Sequence, residues 1–112
     1  CPMLPGAPGH DLWKRDFTGG CGLLSFVLKG RRFSDRAALV DALEMFGIGF
    51  SWGGFESLAI PFEPSRARSA TPWPPADWDK SDRLGIRLAI GLEDAEDLVH
   101  DLEQAFAAME RA

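Results

Sequence analysis

The sequence predicts an α+β domain, a small and mainly antiparallel sheet with helices on one face. Three observations lead there. Leu84, Ile86, Leu88 and Ile90 alternate with Gly85, Arg87 and Ala89, the pattern of a strand with one apolar side. Ala95, Leu98, Val99, Leu102, Ala105, Phe106 and Met109 form one apolar stripe at helical spacing. The order strand, helix, strand, strand, helix then fits a chain of 112 residues, long enough for one compact core.

The elements follow in order. Residues 1–20 hold three of the eight prolines, then Trp13-Lys14-Arg15-Asp16-Phe17 and Thr18-Gly19-Gly20. Nothing there is periodic, so 1–20 is read as an extended linker or interdomain segment and 21–112 as the folded domain. Leu23 to Leu28 is a short apolar run between Gly22 and Gly30, with the length and composition of a mostly buried strand. Ser34 is a good N-cap with Asp35 in the first turn, and Leu39, Val40, Leu43 and Phe46 continue at helical spacing. Gly47 stands where a glycine commonly ends a helix. A strand over Ser57-Leu58-Ala59-Ile60 is expected to stop at Pro61, and the five prolines of residues 61–82 leave no room for a further element. A loop of that length in so small a domain is expected to be functional or covered by a partner, and unordered without one. Glu93, Asp94 and Glu96 place negative charge at the start of the last helix.

Composition limits the function. With 17 acidic and 12 basic side chains the formal charge is −5, which argues against a basic footprint for nucleic acid and against a polybasic membrane anchor. No apolar run reaches the roughly 20 residues that span a bilayer. Cys1 and Cys21 are too few for a disulfide framework and lack metal-ligand spacing, so a reducing, cytoplasmic setting is expected. The start, Cys1-Pro2-Met3-Leu4-Pro5, has neither an initiator methionine nor a signal peptide's regions, and the expectation is a piece of a longer protein.

Few residues can carry chemistry. His10 and His100 are the only histidines and make no metal site without a nearby cysteine cluster. Gly49-Phe50-Ser51-Trp52-Gly53 matches the letters of a nucleophile elbow, but a proline-broken strand follows where the elbow needs a helix. The segment also lacks the Gly-Lys-Ser/Thr of a P-loop, and a tight turn with positive φ at Gly49 or Gly53 explains its glycines. Phe50 and Trp52 on such a turn line either a pocket or the core. The acidic cluster Glu93 to Asp97 reads as a helix-dipole feature rather than a metal site. Arg87 is the most informative residue. Ile86 and Leu88 face the core, so Arg87 points to the opposite face, where it is either simply solvated or a fixed guanidinium able to take a carboxylate or phosphate by two parallel bonds.

Together, several segments resemble one family. Trp13-Lys14-Arg15-Asp16-Phe17-Thr18-Gly19, Gly22-Leu23-Leu24-Ser25-Phe26, Phe50-Ser51-Trp52-Gly53-Gly54-Phe55-Glu56-Ser57-Leu58 and Ile86-Arg87-Leu88-Ala89-Ile90-Gly91-Leu92-Glu93-Asp94 are similar to the C-terminal part of the bacterial cystathionine β-lyases. These are Cys/Met-metabolism, pyridoxal-phosphate (PLP)-dependent enzymes of the aspartate-aminotransferase fold, and the resemblance covers nearly the whole chain in order. It implies the C-terminal small domain of that fold. It also implies a substrate-binding set in which Arg87 grips the substrate α-carboxylate and Ser51 and Trp52 wall the pocket. Relatives acting at the γ-carbon usually carry leucine where Trp52 stands, which favours β-elimination. Phe50 replaces a common tyrosine and Ala89 an expected histidine.

The resemblance further implies PLP in the full-length parent, bound by a large domain upstream that supplies the Schiff-base lysine, since Lys14, Lys29 and Lys80 are not in that context. The implied activity is cleavage of cystathionine to homocysteine, pyruvate and ammonia in methionine biosynthesis. The partners implied are the large domain, a small amino-acid substrate and further subunits of a homotetramer, with no nucleic acid and no membrane. The fragment alone is expected to be inactive and to carry no cofactor. The alternative is a free-standing binding or interaction module that keeps the fold without catalysis.

Overall fold

A computed structural model describes residues 1–50, 52–67, 69–70 and 84–112, with Ala67 by its backbone alone. Among the described residues, eight elements follow one another: α1 (His10–Asp16), β1 (Leu23–Leu28), α2 (Phe33–Asp41), β2 (Gly47–Ile48), β3 (Leu58–Phe62), α3 (Pro64–Ala67), β4 (Leu84–Ala89) and α4 (Ala95–Arg111). The strands form one sheet in the order β1-β4-β3-β2. β4 is antiparallel to both β1 and β3, and only the two-residue β2 runs parallel to its neighbour. The α+β expectation and the mainly antiparallel sheet are both met.

The core lies between the sheet and the pair α2 and α4. Ile86 and Leu88 of β4, Ala59 of β3 and Leu28 of β1 pack with Leu39 and Val40 of α2 and with Leu98, Ala105 and Met109 of α4. The Phe26 and Phe106 rings meet at 5.9 Å on the same side. Burying Ile86 and Leu88 contributes roughly 2–3 kcal/mol each, enough to fix the face of β4. A one-residue slip would turn Arg87 into this core. On the other face, Gly85 leaves space for Phe62, whose ring carbons stand 2.7 and 2.8 Å from where a side chain at Gly85 would begin.

Several boundaries differ from expectation, each for a local reason. Residues 10–16 are helical rather than extended, although α1 buries no residue and so shows no apolar period. Gly9, in the left-handed conformation at φ 82°, starts the turn. A bond between His10 Nδ1 and the Pro2 carbonyl (2.8 Å) and one from Trp13 Nε1–H to the Gly19 carbonyl (3.1 Å) hold its flanks. α2 begins at Phe33 with Arg32 as N-cap, not Ser34, because the Asp35 carboxylate accepts the Arg32 backbone N–H at 2.9 Å. The Arg32 guanidinium also donates to Asp35 and holds that carboxyl below the usual carboxylate range.

α2 ends at Asp41, well short of Gly47. The buried carboxylate of Asp101, from α4, accepts the N–H groups of Glu44 (2.9 Å), Met45 (2.9 Å) and Phe46 (3.2 Å) and draws the chain out of the helix. Gly47 then opens β2 instead of closing α2. β3 runs through Pro61, which is tolerated because β2 has ended by then, its two residues pairing with Leu58 and Ala59. α3 adds one turn at Pro64–Ala67, inside the segment 61–82 expected to hold no element, while residues 68 and 71–82 of that expected loop lie outside the described residues. On α4, Val99 is exposed (54%) although it belongs to the apolar stripe.

Candidate functional site

Arg87 stands on the central strand β4, on the face away from α2 and α4. Its Cα partners are Ser25 on β1 and Ile60 on β3, and directly paired residues share a face. Leu23 and Val27 of β1 and Leu58, Ile60 and Phe62 of β3 lie on that face at the positions paired with Gly85, Arg87 and Ala89. All five are half-buried, as is Arg87. The result is a half-buried guanidinium on a central strand, with Ser25 and these five apolar side chains on the same face. Low local polarity strengthens its hold on an anion, and the planar fork matches a carboxylate.

Trp52 belongs to the loop 49–56 between β2 and β3. It is 85% exposed, and Phe50 and Phe55 beside it are exposed as well, so these aromatics are not part of the domain's own core. Gly53 takes φ 138°, the positive φ expected of this turn. Ser51 lies outside the described residues. His10 stacks on Trp13 at 5.8 Å, and among the described residues no group of three histidine, cysteine or acidic side chains could hold a metal ion.

The loop is closed at its base. Gly47 N–H donates to the Ser57 carbonyl (3.0 Å) and Gly49 N–H to the Ala59 carbonyl (3.2 Å). Its far end is tied to the turn that follows β4. Ser57 donates its N–H to Glu93 Oε1 (2.8 Å) and its hydroxyl to Oε2 (2.7 Å), while Gly91 N–H donates to Ser57 Oγ (2.8 Å). Leu92 N–H reaches the Phe55 carbonyl at 3.0 Å. These bonds from Ser57 hold the Glu93 carboxyl below the usual carboxylate range. Sequence reasoning missed this cluster, taking Glu93 only as helix-dipole charge. Asp94 is the residue that caps α4, through a bond from Glu96 N–H (2.8 Å).

Gly91 is required by that junction. A Cβ there would sit 2.4 Å from the Phe55 carbonyl oxygen and 2.6 Å from Glu93 Oε2, distances that real Cβ atoms do not show. Gly91→Ala is therefore expected to cost about 2–3 kcal/mol, read as a lowered midpoint in thermal unfolding. An unchanged midpoint would show that the junction is slack.

A family model described as Cys/Met metabolism PLP-dependent enzyme matches residues 1–107. The chain belongs to that family. Like other members of the Cys/Met-metabolism family it has close relatives among cystathionine enzymes. It is 46% identical over 107 residues to cystathionine beta-lyase MetC of Escherichia coli (strain K12), across 95% of this chain and 26% of that protein. It is 40% identical over 115 residues to the cystathionine gamma-lyase of Homo sapiens, across 96% and 26%. Its structure matches that of cystathionine gamma synthase from Xanthomonas oryzae pv. oryzae in complex with cystathionine, with TM-score 0.74 and 36% identity over 98% of this chain and 28% of that one. The chain thus spans about a quarter of the length of these relatives.

The family is PLP-dependent. An imine to PLP needs a shielded amine, and the described lysines, Lys14 on α1 and Lys29 just beyond β1, are both exposed. Lys80 lies outside the described residues. Neither described lysine is therefore in such a setting. What this part of the Cys/Met-metabolism fold offers is a half-buried guanidinium at Arg87 and an exposed aromatic loop at Trp52.

Proposed function

We propose that this chain is the C-terminal, substrate-carboxylate-binding domain of a carbon–sulfur lyase, a cystathionine β-lyase that cleaves cystathionine to homocysteine, pyruvate and ammonia. The placement of Arg87 carries the reading. A guanidinium on an inner strand of a sheet, with apolar side chains on the same face, suits a ligand that is small, anionic at one end and apolar along its length. The similarity to cystathionine beta-lyases, at 46% identity in one case, supports the same class of substrate.

In this reading Arg87 takes the α-carboxylate by two parallel hydrogen bonds and fixes the amino-acid end of the thioether, so that the Cα proton faces the catalytic groups. Ser51 and Trp52 wall the pocket along the thioether arm. PLP, bound with its lysine by the large domain upstream in the parent, supplies the electron sink that makes the Cα proton removable. The domain by itself is inactive. The parent works in the cytoplasm as a homotetramer, in methionine biosynthesis. The described residues include no helix long and apolar enough to cross a membrane.

The reaction is tested by its products. Given cystathionine, the protein at its natural length is expected to release pyruvate and homocysteine. Release of 2-oxobutyrate and cysteine instead would assign cleavage to the γ-carbon and overturn the β-lyase reading, for which Trp52 is the discriminating residue.

A further inference from the structure

Ser57 is 1% exposed, and every polar atom it owns is engaged at one junction. Its carbonyl accepts Gly47 N–H from β2, its N–H and hydroxyl donate to Glu93, and its hydroxyl oxygen accepts Gly91 N–H. Two arms leave this point. One is the loop 49–56, which carries Trp52 and returns to the junction through Phe55. The other is β4, in which Ala89, the partner of Leu58, lies two residues beyond Arg87. The junction is therefore the shared root of the loop and the strand.

We propose that Glu93 and Ser57 are positioning residues for substrate selectivity, holding the Trp52 loop at a fixed reach from Arg87 so that the two act on opposite parts of an extended thioether amino acid. The inference rests on the function proposed above. A carboxylate suits the task because both its oxygens accept, which matches the two Ser57 donors, and charge-assisted bonds of this kind are short and strong. Asparagine, glutamine or a hydroxyl in its place leaves one donor facing another donor or nothing. Gly91 belongs to the same device, since any side chain there would push Phe55 away. Arg87 needs none of this to bind a carboxylate. What the junction sets is the separation between the carboxylate grip and the aromatic wall, which matters only for a substrate long enough to touch both.

Glu93→Gln keeps the shape and breaks one bond, and Ser57→Ala removes the hydroxyl from the other side. In the enzyme at its natural length, each is expected to raise KM for cystathionine about tenfold while kcat moves less than about threefold, a loss of binding rather than of chemistry. KM for S-methylcysteine, which has no distal arm, is expected to stay within about twofold. The double variant is expected to be no worse than the poorer single one, because both remove the same interaction. Hydrogen exchange is expected to quicken at the amides of Ser57, Gly91 and Leu92 and to remain slow at Glu44 to Phe46. Equal losses for both substrates, or faster exchange at both places, would overturn the proposal and leave the pair with a purely structural role. An unmutated enzyme that cleaves neither thioether would sink the proposed function, and the substrate selectivity assigned to the pair would fall with it. The exchange pattern would still decide whether the pair holds the loop.

Discussion

Arg87→Ala in the full-length protein is expected to lower kcat/KM for cystathionine by about 100- to 1,000-fold, the roughly 3–4 kcal/mol lost when one partner of a desolvated, hydrogen-bonded charge pair is truncated. The magnitude follows from position. Arg87 is held by strand pairing on both sides, to Ser25 and to Ile60, and apolar side chains share its face of the sheet. A carboxylate arriving there gives up water, and the guanidinium replaces it. Arg87→Lys keeps the charge but not the fork, and about a tenfold loss is expected. A matched substrate without the α-carboxylate supplies the control, since the substitution should leave its weak turnover unchanged. Full activity of Arg87→Ala on cystathionine would remove Arg87 from the binding site.

Asp101→Ala is expected to have the largest effect on folding, about 3–5 kcal/mol, since three backbone donors and the Gln104 amide lose their acceptor together. For a domain of this size that is a fall of roughly 10–20 °C in the unfolding midpoint. The same carboxylate gives a pH dependence of defined sign. Burial opposes its ionisation, but the N–H groups of Glu44 and Met45, the Gln104 amide and Phe46 N–H outweigh burial and lower its titration below the ordinary 3.8. Stabilisation is therefore complete above about pH 5 and is lost as pH falls through the folded value. Denaturant unfolding between pH 7 and pH 2 should show this loss, and Asp101→Asn should be both less stable at pH 7 and flatter in acid. Parallel curves for the two proteins would assign the acid sensitivity to Asp35 and Glu93, whose carboxyls are lowered in the same direction.

What could be read from the sequence is what is repeated along one element. The alternation of β4 announced its two faces and thereby the side on which Arg87 stands. The stripe of α4 announced the helix and most of its buried residues, and the glycines of the loop 49–56 announced a turn with positive φ. What could not be read is set by partners distant in the chain. The end of α2 depends on Asp101, more than fifty residues away, and no local signal in Glu44-Met45-Phe46 reports it. Ser57 and Glu93 each have an ordinary local explanation, as a strand start and a helix-dipole charge, and only their meeting shows the junction. α1 escaped because it buries nothing, so its sequence has no period to find. The passage of β3 through Pro61 depended on knowing that β2 stops before it.

The pairing of β4 with both β1 and β3 also has a consequence for assembly. Among the described strands, β4, which lies between β1 and β3, is the last to be synthesised. Neither antiparallel ladder can form until Leu84–Ala89 is available, and β1 must then be joined across a long intervening stretch. Such closure is entropically costly and slow compared with local pairing. A nascent or truncated chain that stops before Leu84 holds β1 and β3 with nothing between them, and the strand that completes the sheet is the same strand that delivers Arg87.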